Sequence, residues 1–177
     1  MREMIEVRGA GVAVALAENT VTRAEYRTYL RAAGKANLPP LVQGERSSDP
    51  VTYISQAEAI AYCQWLSAQE GRAYRLPRMI ELSELAGEAA AEGVSHEIWP
   101  HYLEQRPELR GGMKPTYLCE WTQEIETVPQ PDGRTRVLGS VFYPPWLRHG
   151  PNATHVQACL LASEGYSFVT FRLASDL

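Results

Sequence analysis

The stretch Pro50-Val-Thr-Tyr-Ile-Ser-Gln-Ala-Glu-Ala-Ile-Ala-Tyr-Cys-Gln-Trp-Leu-Ser67, continued after Ala68-Gln-Glu by Gly71-Arg-Ala-Tyr-Arg-Leu-Pro77, carries the most structural information in this chain. Ser55 and Glu58 form a capping box. The hydroxyl accepts from the backbone amide of the third helical residue, and the carboxylate reaches back to the cap's own amide. Ala59, Cys63 and Leu66 then recur at helical spacing, widened by Ile60 and Tyr62, and Gly71 stands where a C-terminal cap glycine belongs. The pattern predicts a helix from 56 to about 70. Val51–Ile54 before it reads as a short strand or an extended segment, and Tyr74–Pro77 after it as an extended turn.

The same signals recur on both sides. Upstream, Thr22 with Glu25 is a second capping box, and Tyr26, Tyr29, Leu30 and Ala33 form an apolar stripe that ends at Gly34. Val12–Leu16 is an apolar strand candidate, and 35–50 is a loop rich in Pro, Gly and Ser. Downstream, Leu82, Leu85, Ala86 and Ala89 predict a third helix ending at Gly93. Its acids Glu81, Glu84 and Glu88 read as a solvated side. Beyond Val94 come short strand candidates, Tyr117–Thr122, Thr135–Phe142 and Ser167–Leu173, with a turn at Pro129–Gly133 and a Pro-rich loop over 144–152. Helices gathered in the first half and strands in the second describe an α+β domain over 1–177 rather than a βαβ repeat.

Composition narrows the function. The 177 residues carry 17 basic and 21 acidic side chains, a net charge of −4. That leaves no basic surplus to track a phosphate backbone, so no nucleic acid is expected as a partner. No apolar run reaches membrane-spanning length, and the N-terminal residues carry no signal-peptide pattern, so the expectation is a cytoplasmic protein with no membrane contact. Cys63, Cys119 and Cys159 are odd in number and far apart, which excludes a zinc ribbon or a CxxC redox motif.

Read in order, six segments resemble the formylglycine-generating enzyme (sulfatase-modifying factor) family. They are Val21–Leu30, Pro50–Ser67, Gly71–Pro77, Glu120-Trp-Thr122, Arg136-Val-Leu-Gly-Ser140 and Phe171-Arg-Leu-Ala174. The resemblance implies a variant of the C-type lectin-like fold. In that family formylglycine formation needs copper held by two thiolates just after the Arg-Val-Leu stretch, and soft Cu(I) prefers such ligands. Here the stretch reads Arg136-Val-Leu-Gly-Ser-Val-Phe-Tyr-Pro-Pro-Trp-Leu-Arg-His149 and holds no cysteine. Copper-dependent oxidation is therefore not expected. The helix pattern assigns Cys63 to core packing, Cys119 stands where the family has the first aromatic of its Trp-Glu-Trp, which implies a place in the same core, and Cys159 stands alone.

Other cofactors find little support. A second branch resembled by the fold, the ergothioneine-type sulfoxide synthases, holds iron through histidines of a separate helical domain. This chain has no room for that domain, and His96, His101, His149 and His155 read as loop residues. Calcium, also a family feature, would have Glu120 as its one carboxylate candidate, against the six to eight oxygens such a site takes. A buried Glu120 bonded to backbone amides is the other reading. No metal or other cofactor is expected.

What remains is a surface. In the loop of about 141–152, Phe142, Tyr143, Trp146, Arg148, His149 and Asn152 include the residue types that make interface hot spots, and Pro144 and Pro145 restrict it. Trp99, His101 and Tyr102 form a smaller cluster. The expectation is a non-catalytic binding or accessory protein that presents this aromatic and arginine loop to a protein partner, a small-molecule ligand being a further candidate. Two alternatives stand beside it: a retroelement-diversified ligand binder of the same fold, and an enzyme using Arg148, His149 or Glu120 in place of cysteine chemistry.

Overall fold

The computed structural model describes residues 2–9, 11–35, 46–93, 98–99, 118–143 and 156–177. Two capping boxes form as read. Thr22 opens α1 (Arg23–Ala32) and Ser55 opens α2 (Gln56–Glu70), each with its glutamate returning to the cap amide. Gly71 closes α2 at φ +66°, a left-handed conformation that a side chain would strain. α3 (Met79–Glu92) presents Leu82, Leu85, Ala86 and Ala89 to the interior as the spacing predicts.

Two sheets accompany these helices. The first is antiparallel, in the order β1 (Met4–Gly9), β2 (Val12–Ala17), β7 (Ala174–Asp176). The second runs β5 (Val156–Leu161), β4 (Thr135–Tyr143), β3 (Cys119–Pro129), β6 (Val169–Thr170), with β6 parallel to β3 and the other pairs antiparallel. Both sequence halves therefore supply strands, and helices gather in the first half, an α+β arrangement.

The pleat of β4 separates two cores. Val141 points into a cluster built by α1, α2, Trp121, Phe171 and Leu173, whereas its neighbour Phe142 points the other way. That second cluster joins Val7, Val12, Val14 and Leu16 of the first sheet to the apolar face of α3 and to Trp99.

Several expectations are corrected. Of the two readings of Val51–Ile54 the strand does not form: the segment is tied by the Val51 amide to the Val21 carbonyl at 2.8 Å and bends at Tyr53, whose φ is +59°. The strand at 117–122 runs on to Pro129, past a register shift between Trp121 and Ile125. The buried amide of Gln56 holds that shift by donating to the carbonyls of Thr122 and Glu124 at 2.7 and 3.1 Å. At 167–173 only Val169–Thr170 pairs as strand. Glu81 is no solvated acid. It is fully buried and held by Arg75 at 2.8 Å and by the Arg78 side chain at 2.7 Å.

Candidate functional site

The described part of the candidate site begins at a cross-strand pair. Glu120 of β3 stands opposite Phe142 of β4, so both side chains leave the sheet on the same face. Arg172 follows β6, whose Thr170 pairs with Glu120. Its Nε donates to Glu120 Oε2 and its Nη2 to Oε1, both at 2.6 Å, with each side chain almost entirely inside. A bidentate, charge-assisted contact of this kind is what makes an ion pair tolerable in a water-excluded interior. Arg172 also donates to the carbonyls of Ala17, Glu18 and Ile98 at 3.1–3.2 Å. One guanidinium thus ties β2, β3 and residue 98 together.

Trp99 closes the group. Its Nε1 donates to Glu120 Oε1 at 2.7 Å, the Arg172 guanidinium sits 4.7 Å from its ring centre, and the Phe142 ring lies 5.8 Å away. The cation over the indole and the tilted ring pair both add to the burial of apolar surface.

This geometry revises the sequence-predicted site. Phe142 is 0% exposed and Trp99 only 3%, so neither offers surface to a partner; both are core residues. The first sheet and α3 cover the face on which Phe142 lies, and the alternation of β4 turns Tyr143 to the opposite face, half-buried against the helical core. Glu120, the calcium candidate, is engaged within the protein. Both of its oxygens are taken, and the buried guanidinium already balances its charge. Its partners are side chains and not the backbone amides considered as the other reading. Trp146, Arg148, His149, Asn152, His101 and Tyr102 lie outside the described residues.

Sequence reading missed Arg172 as the partner. The signal was present: an arginine between Phe171 and Leu173 and a glutamate between Cys119 and Trp121 are two charges in apolar runs, and such charges stay buried only when paired.

The cysteines fall where the pattern places two of them. Cys63 and Cys119 are buried, Cys159 is exposed on β5, and none is disulfide-bonded. Burial pushes the Cys63 thiol up to about 12, so it is protonated at neutral pH. Among the described residues, no group of three or more His, Cys, Asp or Glu is placed to hold a metal ion. Among the same residues, no helix is long and apolar enough to cross a membrane.

Residues 12–115 match the family model described as a Sulfatase-modifying factor enzyme 1-like domain. The chain is similar to the crystal structure of CarF at 14% identity and a TM-score of 0.60, covering 99% of this chain and 97% of that one. PvdO from Pseudomonas aeruginosa aligns at 14% identity and a TM-score of 0.53, covering 100% and 92%. Treponema denticola variable protein 1 aligns at 13% identity and a TM-score of 0.57, covering 99% and 93%. At these identities the likeness shows the fold alone. No curated protein matches the sequence.

Proposed function

The chain belongs to the sulfatase-modifying factor (formylglycine-generating enzyme) family, with its C-type lectin-like fold, and from that premise we propose that it is a non-catalytic binding or accessory protein. The reading assigns recognition of a protein partner to the loop of about 141–152. One observation carries it. Phe142 and Trp99 touch, so the segment carrying Trp146, Arg148, His149 and Asn152 and the segment carrying His101 and Tyr102 leave the described fold from adjacent roots. The two segments that hold residue types suited to binding are thus rooted in one preorganised buried contact.

The thiols support the non-catalytic part. Two are buried and the third stands alone on β5, an arrangement that does not supply the exposed thiolate pair Cu(I) chemistry calls for. The proposal is therefore a protein that works without copper, and with Glu120 engaged by Arg172 it is also one that does not rely on Glu120 for calcium. A second reading, a diversified ligand binder, draws support from the likeness to a protein named as variable; a template repeat beside the gene would decide for it.

The test replaces surface candidates and spares that contact. Trp146→Ala with Arg148→Ala should abolish capture of the partner recovered by the unmodified protein from its native host, while the thermal midpoint moves by less than about 2 °C. Retained capture refutes the loop assignment. Tight stoichiometric Cu(I) binding under reducing conditions refutes the non-catalytic reading.

A further inference from the structure

β3 and β4 outrun the rest of their sheet. β5 accompanies β4 only as far as Leu138, and from there out to Pro129 opposite Thr135 the pair continues, among the described residues, without a third strand. The register puts Ile125, Thr127, Pro129, Thr135 and Val137 on one face of this ribbon. All five are exposed and none is charged, whereas Glu126 and Arg136 stand on the other face. The start of α2 borders the uncharged face. The Ala162 amide donates to the Val137 carbonyl and the Ala162 carbonyl accepts from the Gln56 amide, both at 3.1 Å, and the Gln56 side chain lies beneath Gly139. Three residues before Gln56, Tyr53 has a φ of +59° and a ring 57% exposed. The fold imposes that conformation: the Tyr53 amide donates to the Tyr166 carbonyl at 3.0 Å, and a methyl on Gly165 would fall 2.2 Å from the Tyr53 carbonyl oxygen. A bulky residue held in the left-handed region with its ring in water marks a place where the ring has a use. Of the five large apolar side chains exposed among the described residues, Tyr53, Ile125 and Val137 thus gather here, which scattered surface residues do not do.

We propose that this face is the contact between two copies of the chain, packed ribbon against ribbon about a two-fold axis. Three features choose the occupant. A two-fold contact sets one patch against itself, and an uncharged face of Ile, Thr and Val side chains meets its own copy without like-charge repulsion. The chain has a net charge of −4, so two copies approach most easily over a face that carries no acid. A two-stranded ribbon is marginal in water unless something covers it, and a second copy is the one partner present wherever the chain is. The patch is small, so the dimer is a weak one, in the micromolar range. It lies toward the opposite end of β4 from the loop of about 141–152, and the two assignments stand or fall separately.

Sedimentation equilibrium of the full chain from about 1 to about 200 µM tests it and should show a monomer passing into a dimer. Val137→Lys sets two like charges against each other across the axis and should weaken the dimer about tenfold or more. Should that variant fold poorly, Thr127→Lys on the opposing strand takes its place. Tyr53→Asn should weaken the dimer about tenfold while leaving the thermal midpoint of the dilute monomer unchanged or higher, because Asn accepts the left-handed conformation. Leu177→Ser removes an exposed apolar side chain next to β7 and should leave association unchanged. The proposal is overturned by a monomer throughout the range, by association unchanged in the folded lysine variant or in Tyr53→Asn, or by an equal loss in Leu177→Ser.

Discussion

Replacing Glu120 by Gln removes one charge from a pair that water does not reach. Removing one partner of a buried ion pair costs about 3–5 kcal/mol, because the remaining charge is left uncompensated. Three carbonyl contacts of Arg172, to Ala17, Glu18 and Ile98, persist and soften the loss. The Gln oxygen can still accept from Trp99, but the amide nitrogen in place of the second oxygen faces the guanidinium donor to donor. These effects oppose each other, and we expect about 3 kcal/mol. For a chain of this size each kcal/mol moves the midpoint by about 2–4 °C, so thermal unfolding should shift down by about 6–12 °C. Calorimetry and urea unfolding of Glu120→Gln, Arg172→Met and the double variant complete the cycle. The double should be less destabilised than the sum of the singles by about 2 kcal/mol or more. A single-site cost under about 1 kcal/mol, or simple additivity, would refute the claim that this pair ties β2, β3 and residue 98 together.

Three further outcomes follow from the same structure. Gly139→Ala should cost about 1–3 kcal/mol in urea unfolding, since its new methyl would lie 2.6 Å from Gln56 Oε1 and 2.9 Å from the Trp121 ring; a neutral result would show that Gln56 does not hold the β3 irregularity. Burial alone would raise the Glu81 carboxyl, but the hydrogen bonds from Arg75 and Arg78 outweigh it and hold the group below its ordinary value of 4.5. Its stabilising contribution is therefore complete above that value and is lost as pH falls through the lower folded-state one, so melting curves between about pH 6 and about pH 3 should fall less steeply for Glu81→Gln than for the unmodified protein. A thiol reagent on the native protein should modify Cys159 quickly and leave Cys63 and Cys119 until unfolding; fast reaction at a second site would contradict the packing described.

Local chemistry was readable wherever neighbouring residues settle it. Thr22 with Glu25, Ser55 with Glu58 and Gly71 act within one or two helical turns, so their roles survive any tertiary arrangement. The apolar stripe of α3 behaves the same way, because helical periodicity alone selects the buried face. Glu81 escaped the reading because the buried cap of α3 is made by arginines, one of them anchored in turn to Asp176 at the far end of the chain. β1 and β5 escaped because a strand's identity rests on a partner, and theirs are β2 and β4.

The surface assignment shows the same limit. Phe142 and Trp99 belong to residue types common in interfaces, and nothing in composition distinguishes an interface ring from a core ring. The decision came from the packing that covers β4 on both faces, so that Val141 and Phe142 are each buried in a core, and from the register that sets Glu120 opposite Phe142. By itself the sequence determined the family, the helices α1 to α3, the capping boxes of the first two, and the lack of a cysteine pair just after Arg136-Val-Leu138, because each is written in contiguous residues. Only the tertiary structure joined Trp99, Glu120, Phe142 and Arg172 into one buried anchor. A charge in an apolar run states that it needs a partner, but the partner is chosen by strand register across most of the chain.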